Sequence, residues 1–250
     1  MKIVILSGGL GTRLGQLTSK IPKPMVKIGN MPILWHIINI YSSYGFDDFI
    51  IALGYKSQII KDFFNSKKLK KNNKSGYLEC KSIGGRAIKI ALVKTGQKTL
   101  TGGRLLRLKK FLVKDTFMLT YGDGLCDLDI SKLLKFHKRH KKIATITGVH
   151  PIARFGELNL NKSKVRGFKE KPQINKGWIN GGFFVLNPKI FNFLKNDKTI
   201  LEGYPLEKLA KANQLMAYRH KGFWYCMDTP RDKDSLEIIW RKKNVPWKKW

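Results

Sequence analysis

Acidic side chains are scarce in this sequence: 17 Asp and Glu stand against 49 Lys and Arg, a formal charge of +32 at pH 7. A balance of that kind leaves three classes of partner: nucleic acid, a membrane surface or a small anionic substrate. The basic residues are scattered, with local runs at 67–74, 137–142 and 241–249. Lysine outnumbers arginine, whereas base-reading surfaces favour arginine, and no stretch interleaves aromatic and basic residues for stacking on bases. The expectation is a largely solvated surface charge and no nucleic-acid partner. Cysteine is equally thin. Cys80, Cys126 and Cys226 are odd in number and far apart, which excludes a disulfide framework and any zinc-ligand spacing. No run of about 18 apolar residues occurs, so no helix is expected to span a membrane. The chain enters a short strand at once, with no secretory leader pattern, and the expectation is a soluble cytoplasmic protein.

Two phosphate-binding signatures are also missing. There is no G-x-x-x-x-G-K-[ST] spacing, which sets aside a P-loop ATPase. A dinucleotide fingerprint needs a helix opening within its glycines and an acid about 20 residues on. Here an arginine and a Lys-Ile-Pro-Lys-Pro stretch follow instead.

What is present at that point is more informative. Lys2-Ile3-Val4-Ile5-Leu6 reads as a buried parallel strand and breaks into Ser7-Gly8-Gly9-Leu10-Gly11-Thr12-Arg13-Leu14. Glycines let the backbone approach phosphate oxygens and aim N–H groups at them, and Arg13 adds a charged fork of donors. The ligand expected is a polyphosphate, hence a nucleotide. In Lys20-Ile21-Pro22-Lys23-Pro24 the prolines hold an extended strip that presents Lys23.

Apolar spacing predicts a helix from Pro32 onward, with His36 packed rather than catalytic. It predicts a strand over 49–53, a helix from Ser57, and a mobile loop over 65–74. Antiparallel strands follow over 77–93, turning at Gly84-Gly85. A helix then carries Leu105, Leu108 and Leu112, and a strand runs over 117–121. Ser131–Lys142 reads as a basic amphipathic helix, with His137 and His140 on a solvated face. Ala144–Val149 is a strand, short β segments lead to residue 172, and 178–186 returns to the sheet. The β-α-β-α opening predicts an α/β fold: one Rossmann-like domain over 1–250, with a mixed, mostly parallel central sheet flanked by helices.

Asp123, between two glycines at the end of an apolar strand, stands where open α/β sheets place ligands. A carboxylate there suits Mg²⁺, which takes one or two carboxylates plus phosphate oxygens, and Asp228 is the candidate second ligand.

With these motifs the chain resembles the sugar-1-phosphate nucleotidylyltransferases, nearly end to end. The resemblance rests on Gly8–Leu14, Lys23-Pro24-Met25, Pro32–His36, Thr101-Gly102-Gly103-Arg104, Thr120–Gly124, Phe168-Lys169-Glu170-Lys171-Pro172, Ile179–Val185 and Met227-Asp228-Thr229. The Trp35-His36 pair, Thr-Gly-Gly-Arg, Tyr-Gly-Asp-Gly and Pro246-Trp247-Lys248 resemble the cytidylyl branch more narrowly.

That resemblance implies transfer of a cytidylyl group from CTP to α-D-glucose 1-phosphate, giving CDP-glucose and pyrophosphate, with Mg²⁺ as cofactor. It implies that Leu6, Gly8, Gly9, Gly11, Thr12, Arg13, Lys23, Thr99, Arg104 and Gly122 serve the nucleotide. Arg13 and Lys23 are the catalytic pair. Asp123 and Asp228 hold the metal, and Glu170, Lys171 and Gly182 serve the sugar phosphate. The nucleotide half then covers about residues 1–125 and the sugar-phosphate half about 126–250. The family implies a homo-oligomer, a hexamer among its forms. Arginine carries only donors, so Arg104 can pair with O2 and N3 of cytosine but not with the N3–H of uracil. Ser7 stands where alanine is usual. The stretch over 67–90 is shortened, and Gln97-Lys98-Thr99 departs from the family's usual run.

Overall fold

The computed structural model describes residues 1–66, 70–71, 77–151, 157–169 and 177–250. Its centre is a nine-stranded mixed sheet. In spatial order the strands are Leu215–Arg219, Ala144–Val149, Ile179–Leu186, Phe117–Tyr121, Lys2–Ser7, Asp48–Leu53, Ala87–Lys94, Leu78–Lys81 and Lys70–Lys71. Only Ile179–Leu186 and Leu78–Lys81 run against the rest, because both pair antiparallel with their two neighbours. The other seven strands point one way, so their carboxyl ends share one edge.

The opening strand shows why the sheet is central. Ile3 and Ile5 belong to one buried cluster, Val4 and Leu6 to the other, and all four are buried. A strand apolar on both faces must be covered on both. Helices Ile33–Ser43, Ser57–Ser66, Ile130–His140 and Pro230–Trp240 contribute to the first cluster. Thr101–Arg107, Lys109–Leu112 and Tyr204–Lys211 contribute to the second.

His36 is fully buried within the Ile33–Ser43 helix. Trp247, also fully buried, donates its indole N–H to His36 Nδ1 at 3.3 Å, which leaves Nε2–H to donate to the Ile28 carbonyl at 2.9 Å. Burial lowers the imidazole pKa to about 4, against the pull of the Ile28 carbonyl and Glu237. The histidine is a neutral core residue, as the apolar spacing predicted.

Four local expectations need correction. The helix carrying Leu105, Leu108 and Leu112 is broken at Leu108 into Thr101–Arg107 and Lys109–Leu112. His137 does not face solvent: it is 5% exposed, and its Nδ1 meets Thr145 Oγ1 at 2.9 Å, with His140 Nε2 on the same oxygen at 2.7 Å. Both rings turn inward because Thr145, on the adjoining strand, offers them a buried polar partner. Lys23–Met25 is a single 3₁₀ turn following an extended Pro22, not an extended strip. The predicted 65–74 loop begins inside a helix that ends at Ser66, and Lys70–Lys71 pairs with Leu78–Glu79; the rest of it lies outside the described residues. Among the described residues no helix is long and apolar enough to cross a membrane.

Candidate active site

The carboxyl ends of the parallel strands meet at a cavity of about 950 Å³. Its floor is the glycine turn. Gly11 adopts a left-handed conformation, φ 67°, and its carbonyl accepts from Thr18 Oγ1 at 2.9 Å. A one-turn 3₁₀ helix over Thr12–Leu14 then carries Arg13 outward, its side chain 70% exposed. Gly122 N donates to the Leu6 carbonyl at 3.1 Å, tying the ends of two neighbouring strands together. A Cβ at Gly122 would stand 3.0 Å from Pro24 and 3.1 Å from the Leu6 oxygen, so glycine keeps this wall thin.

Charge gathers at one end. Lys23 Nζ lies 2.6 Å from Asp123 Oδ2 and 2.5 Å from Asp228 Oδ1, and Arg13 reaches Asp228 Oδ2 at 2.7 Å. Asp123 follows the Phe117–Tyr121 strand, and Asp228 immediately precedes the capping box of the Pro230–Trp240 helix. Residues 105 positions apart thus converge on one ammonium group. Burial is the largest single influence on Lys23 and opposes its charge. The surrounding anionic partners, Asp123 foremost, together outweigh it and raise the lysine pKa.

The two aspartates also fit a divalent ion. Their oxygens and Cys226 Sγ lie within 4.8 Å of one another, and Lys23 shows that a cation can sit between the carboxylates. Cys226 is a poor third ligand for a hard ion, since burial, and then the Asp123 charge, push its thiol pKa up. Mg²⁺ with phosphate oxygens would complete the donor set.

The other end of the cavity is lined by Tyr55, Gln97, Lys98, Thr99, Leu100 and Arg104. Arg104 is 4% exposed, and burial lowers its pKa, with Arg107 adding to the effect. Its two terminal nitrogens donate to Thr95 Oγ1 at 2.8 Å, to the carbonyls of Gly96 and Gly8 at 2.7 and 2.8 Å, and at longer range to those of Gln97 and Leu53. The guanidinium therefore pins the glycine turn to the 95–97 loop. A pairing with cytosine through those nitrogens has to displace some of these partners.

On the third side, Gly182 has φ 80°, and a Cβ there would meet the Tyr121 ring at 2.5 Å. Trp224 Nε1 donates to the Gly181 carbonyl at 2.8 Å. The cavity thus brings together Leu6, Gly8, Gly9, Gly11, Thr12, Arg13, Lys23, Thr99, Arg104, Gly122, Asp123, Gly182 and Asp228. Glu170 and Lys171 lie outside the described residues.

Sequence reasoning assigned no role to Tyr121, Asn180 or Trp224, although the first two lie in motifs it used. It missed Glu202 altogether, which receives a hydrogen bond from Tyr121 Oη across 81 positions. No local pattern marks a carboxylate whose partners come from other elements.

A family model described as nucleotidyl transferase matches residues 2–234. A glucose-1-phosphate cytidylyltransferase of Salmonella typhimurium is 47% identical over 256 aligned positions, covering all of both chains. Among solved structures, HddC from Yersinia pseudotuberculosis complexed with GMP-PN is 27% identical, with a TM-score of 0.71 over 96% of this chain and 99% of that one. A UDP-glucose pyrophosphorylase complexed with UDP-glucose shares the fold at 19% identity, with a TM-score of 0.71 over 97% and 99%. Matched over nearly its whole length, the chain belongs to the nucleotidyl transferase family.

Proposed function

We propose that the chain transfers a cytidylyl group from CTP to α-D-glucose 1-phosphate, forming CDP-glucose and releasing pyrophosphate. One observation carries this reading beyond the family assignment. A glycine turn with an exposed arginine opens into the same cavity as a lysine held between two carboxylates.

The nucleophile is an ionised phosphate oxygen, so no strong general base is required. The barrier lies in bringing two anions together and in the charge that grows on departing pyrophosphate. Arg13 and the glycine turn hold the β- and γ-phosphates and the leaving pyrophosphate. Lys23 leaves the aspartates to neutralise the α-phosphate. Asp123 and Asp228 are the ligands for Mg²⁺, which when bound supplies Lewis-acid charge neutralisation at the phosphates. Leu6, Gly122 and Thr99 shape the nucleotide's bed, and Arg104 reads cytosine by trading loop carbonyls for O2 and N3. Gly182, with Glu170 and Lys171, serves the sugar phosphate. This makes residues 1–125 the nucleotide half and 126–250 the sugar-phosphate half. The reading includes a homo-oligomer, a hexamer among its forms, which light scattering of the purified protein decides.

Pyrophosphate release is the test, measured with Mg²⁺, glucose 1-phosphate and each of CTP, UTP, dTTP, ATP and GTP in turn. Release with CTP alone is expected. Release with another nucleotide instead overturns the base assignment, and silence with all five overturns the sugar phosphate.

A further inference from the structure

Glu202 stands outside the cavity wall, yet two of the wall's side chains end on it. Thr101 Oγ1 donates to Glu202 Oε2 at 2.6 Å and accepts from Leu201 N at 2.9 Å, which anchors the carboxylate from behind. Tyr121 Oη donates to Glu202 Oε1. Asn180 Nδ2 approaches Tyr121 Oη at 3.3 Å, and Asn180 Oδ1 accepts from Gly182 N at 2.8 Å. The chain of bonds runs from the start of the Thr101–Arg107 helix to the left-handed glycine on the opposite wall.

Direction is what matters here. A phenol has one proton, and in this structure it is spent on Glu202. Whatever else Tyr121 Oη meets, it meets as an acceptor. An ionised carboxylate can only accept, so it enforces that polarity, and a charge-assisted bond holds it more firmly than a neutral partner could. Asn180 inherits its orientation from the same source, with Nδ2 toward the phenol and Oδ1 toward Gly182.

We infer that Glu202 is a positioning residue for the sugar-phosphate substrate: by holding the Tyr121 proton, it makes the cavity wall accept a hydrogen bond from a sugar hydroxyl. This rests on the reading of the site given above. Neither Tyr121 nor Asn180 touches the nucleotide's phosphates in that reading, so the effect belongs to the sugar alone.

The experiment compares wild type, Glu202→Gln and Glu202→Leu with glucose 1-phosphate and with its monofluorinated analogues, in which one hydroxyl becomes an acceptor only. With Glu202→Leu, the KM for glucose 1-phosphate is expected to rise by about three- to tenfold, the worth of one ordinary hydrogen bond. The KM for CTP and kcat should hold within about twofold by the same arithmetic. Glu202→Gln can still offer an oxygen to Tyr121 and should recover most of the loss. One fluoro analogue should be penalised by wild type and much less by Glu202→Leu, because the freed phenol proton can turn toward the fluorine. Equal rises in both KM values, or equal fluoro penalties in wild type and Glu202→Leu, overturn the inference and leave Glu202 a structural residue. Wild type that does not turn over glucose 1-phosphate at all overturns the substrate reading itself, and the inference with it.

Discussion

Replacing Arg104 with methionine separates two jobs that one side chain performs. The guanidinium holds Gly8 on one side and Thr95 and Gly96 on the other, and it does so almost without exposure. Methionine fills a similar volume but donates nothing. The Gly96 carbonyl sits in a loop and can turn to water, whereas the Gly8 carbonyl and Thr95 Oγ1 are buried with their bonds to Arg104. The Gly8 carbonyl keeps the Tyr55 N–H at 3.3 Å and Thr95 Oγ1 keeps its own bond to the Leu53 carbonyl at 2.8 Å, so each loses one charged donor rather than every partner, at about 1.5–3 kcal/mol each. Part of that is returned, because a guanidinium held by carbonyls and a hydroxyl no longer has to be buried. A net loss of about 2 kcal/mol lowers the melting temperature by roughly 4–8 °C for a chain of this size. If the same nitrogens also read cytosine, the preference for CTP over UTP falls as well, by about 10²-fold or more, given what polar base contacts can supply. Calorimetry and pyrophosphate-release kinetics on the same preparation measure both. A melting temperature unchanged from wild type refutes the account of the buried bonds. A lowered melting temperature with intact CTP preference refutes base reading and leaves Arg104 as scaffold.

Trp247→Ala removes a fully buried indole and the donor to His36 Nδ1; a loss of about 3–5 kcal/mol is expected by chemical denaturation, with the His36 pKa moving back from about 4 toward 6.5 by NMR titration. His36 and His137 are both held at about 4, so the folded chain refuses protons that the unfolded chain takes up. Their contribution is complete above pH 6.5 and is lost as pH falls toward 4, by about 2 kcal/mol each on reaching pH 5; an equal urea midpoint at pH 7.5 and pH 5 contradicts this. Gly182→Ala sets a Cβ against the Tyr121 ring at a φ of 80°, costing about 1–3 kcal/mol, and should raise the KM for glucose 1-phosphate while sparing that for CTP.

The architecture was legible where one short segment carried its own reason. A strand such as Lys2–Ser7, apolar on both faces, has to lie inside a sheet covered on both sides, and the glycine turn after it lines the cavity at the strand's carboxyl end. The site was legible as residue types at strand ends: Asp123 after one apolar strand and Asp228 after an aromatic stretch. Their meeting on Lys23 was not, since convergence across 105 positions is a property of the packed sheet. His137 was misread because helical periodicity marks a face but not what the adjoining strand offers it. In this case it was Thr145. Arg104 shows the same limit: the family resemblance implied a base contact, but its grip on Gly8 spans 96 positions and depends on the packed fold.

The lysine held between two carboxylates has a consequence for selectivity among anions. At that point two cations face two anions, so the charges there balance although the chain carries +32. A lone phosphate finds Arg13 and Lys23 already engaged and has to outbid two aspartates for them. In the proposed function a triphosphate would bring enough charge to do so, and the carboxylates it releases would then take a divalent ion. On that proposal, competition within the site would favour a ligand that arrives with a metal over the many simple anions a basic surface gathers.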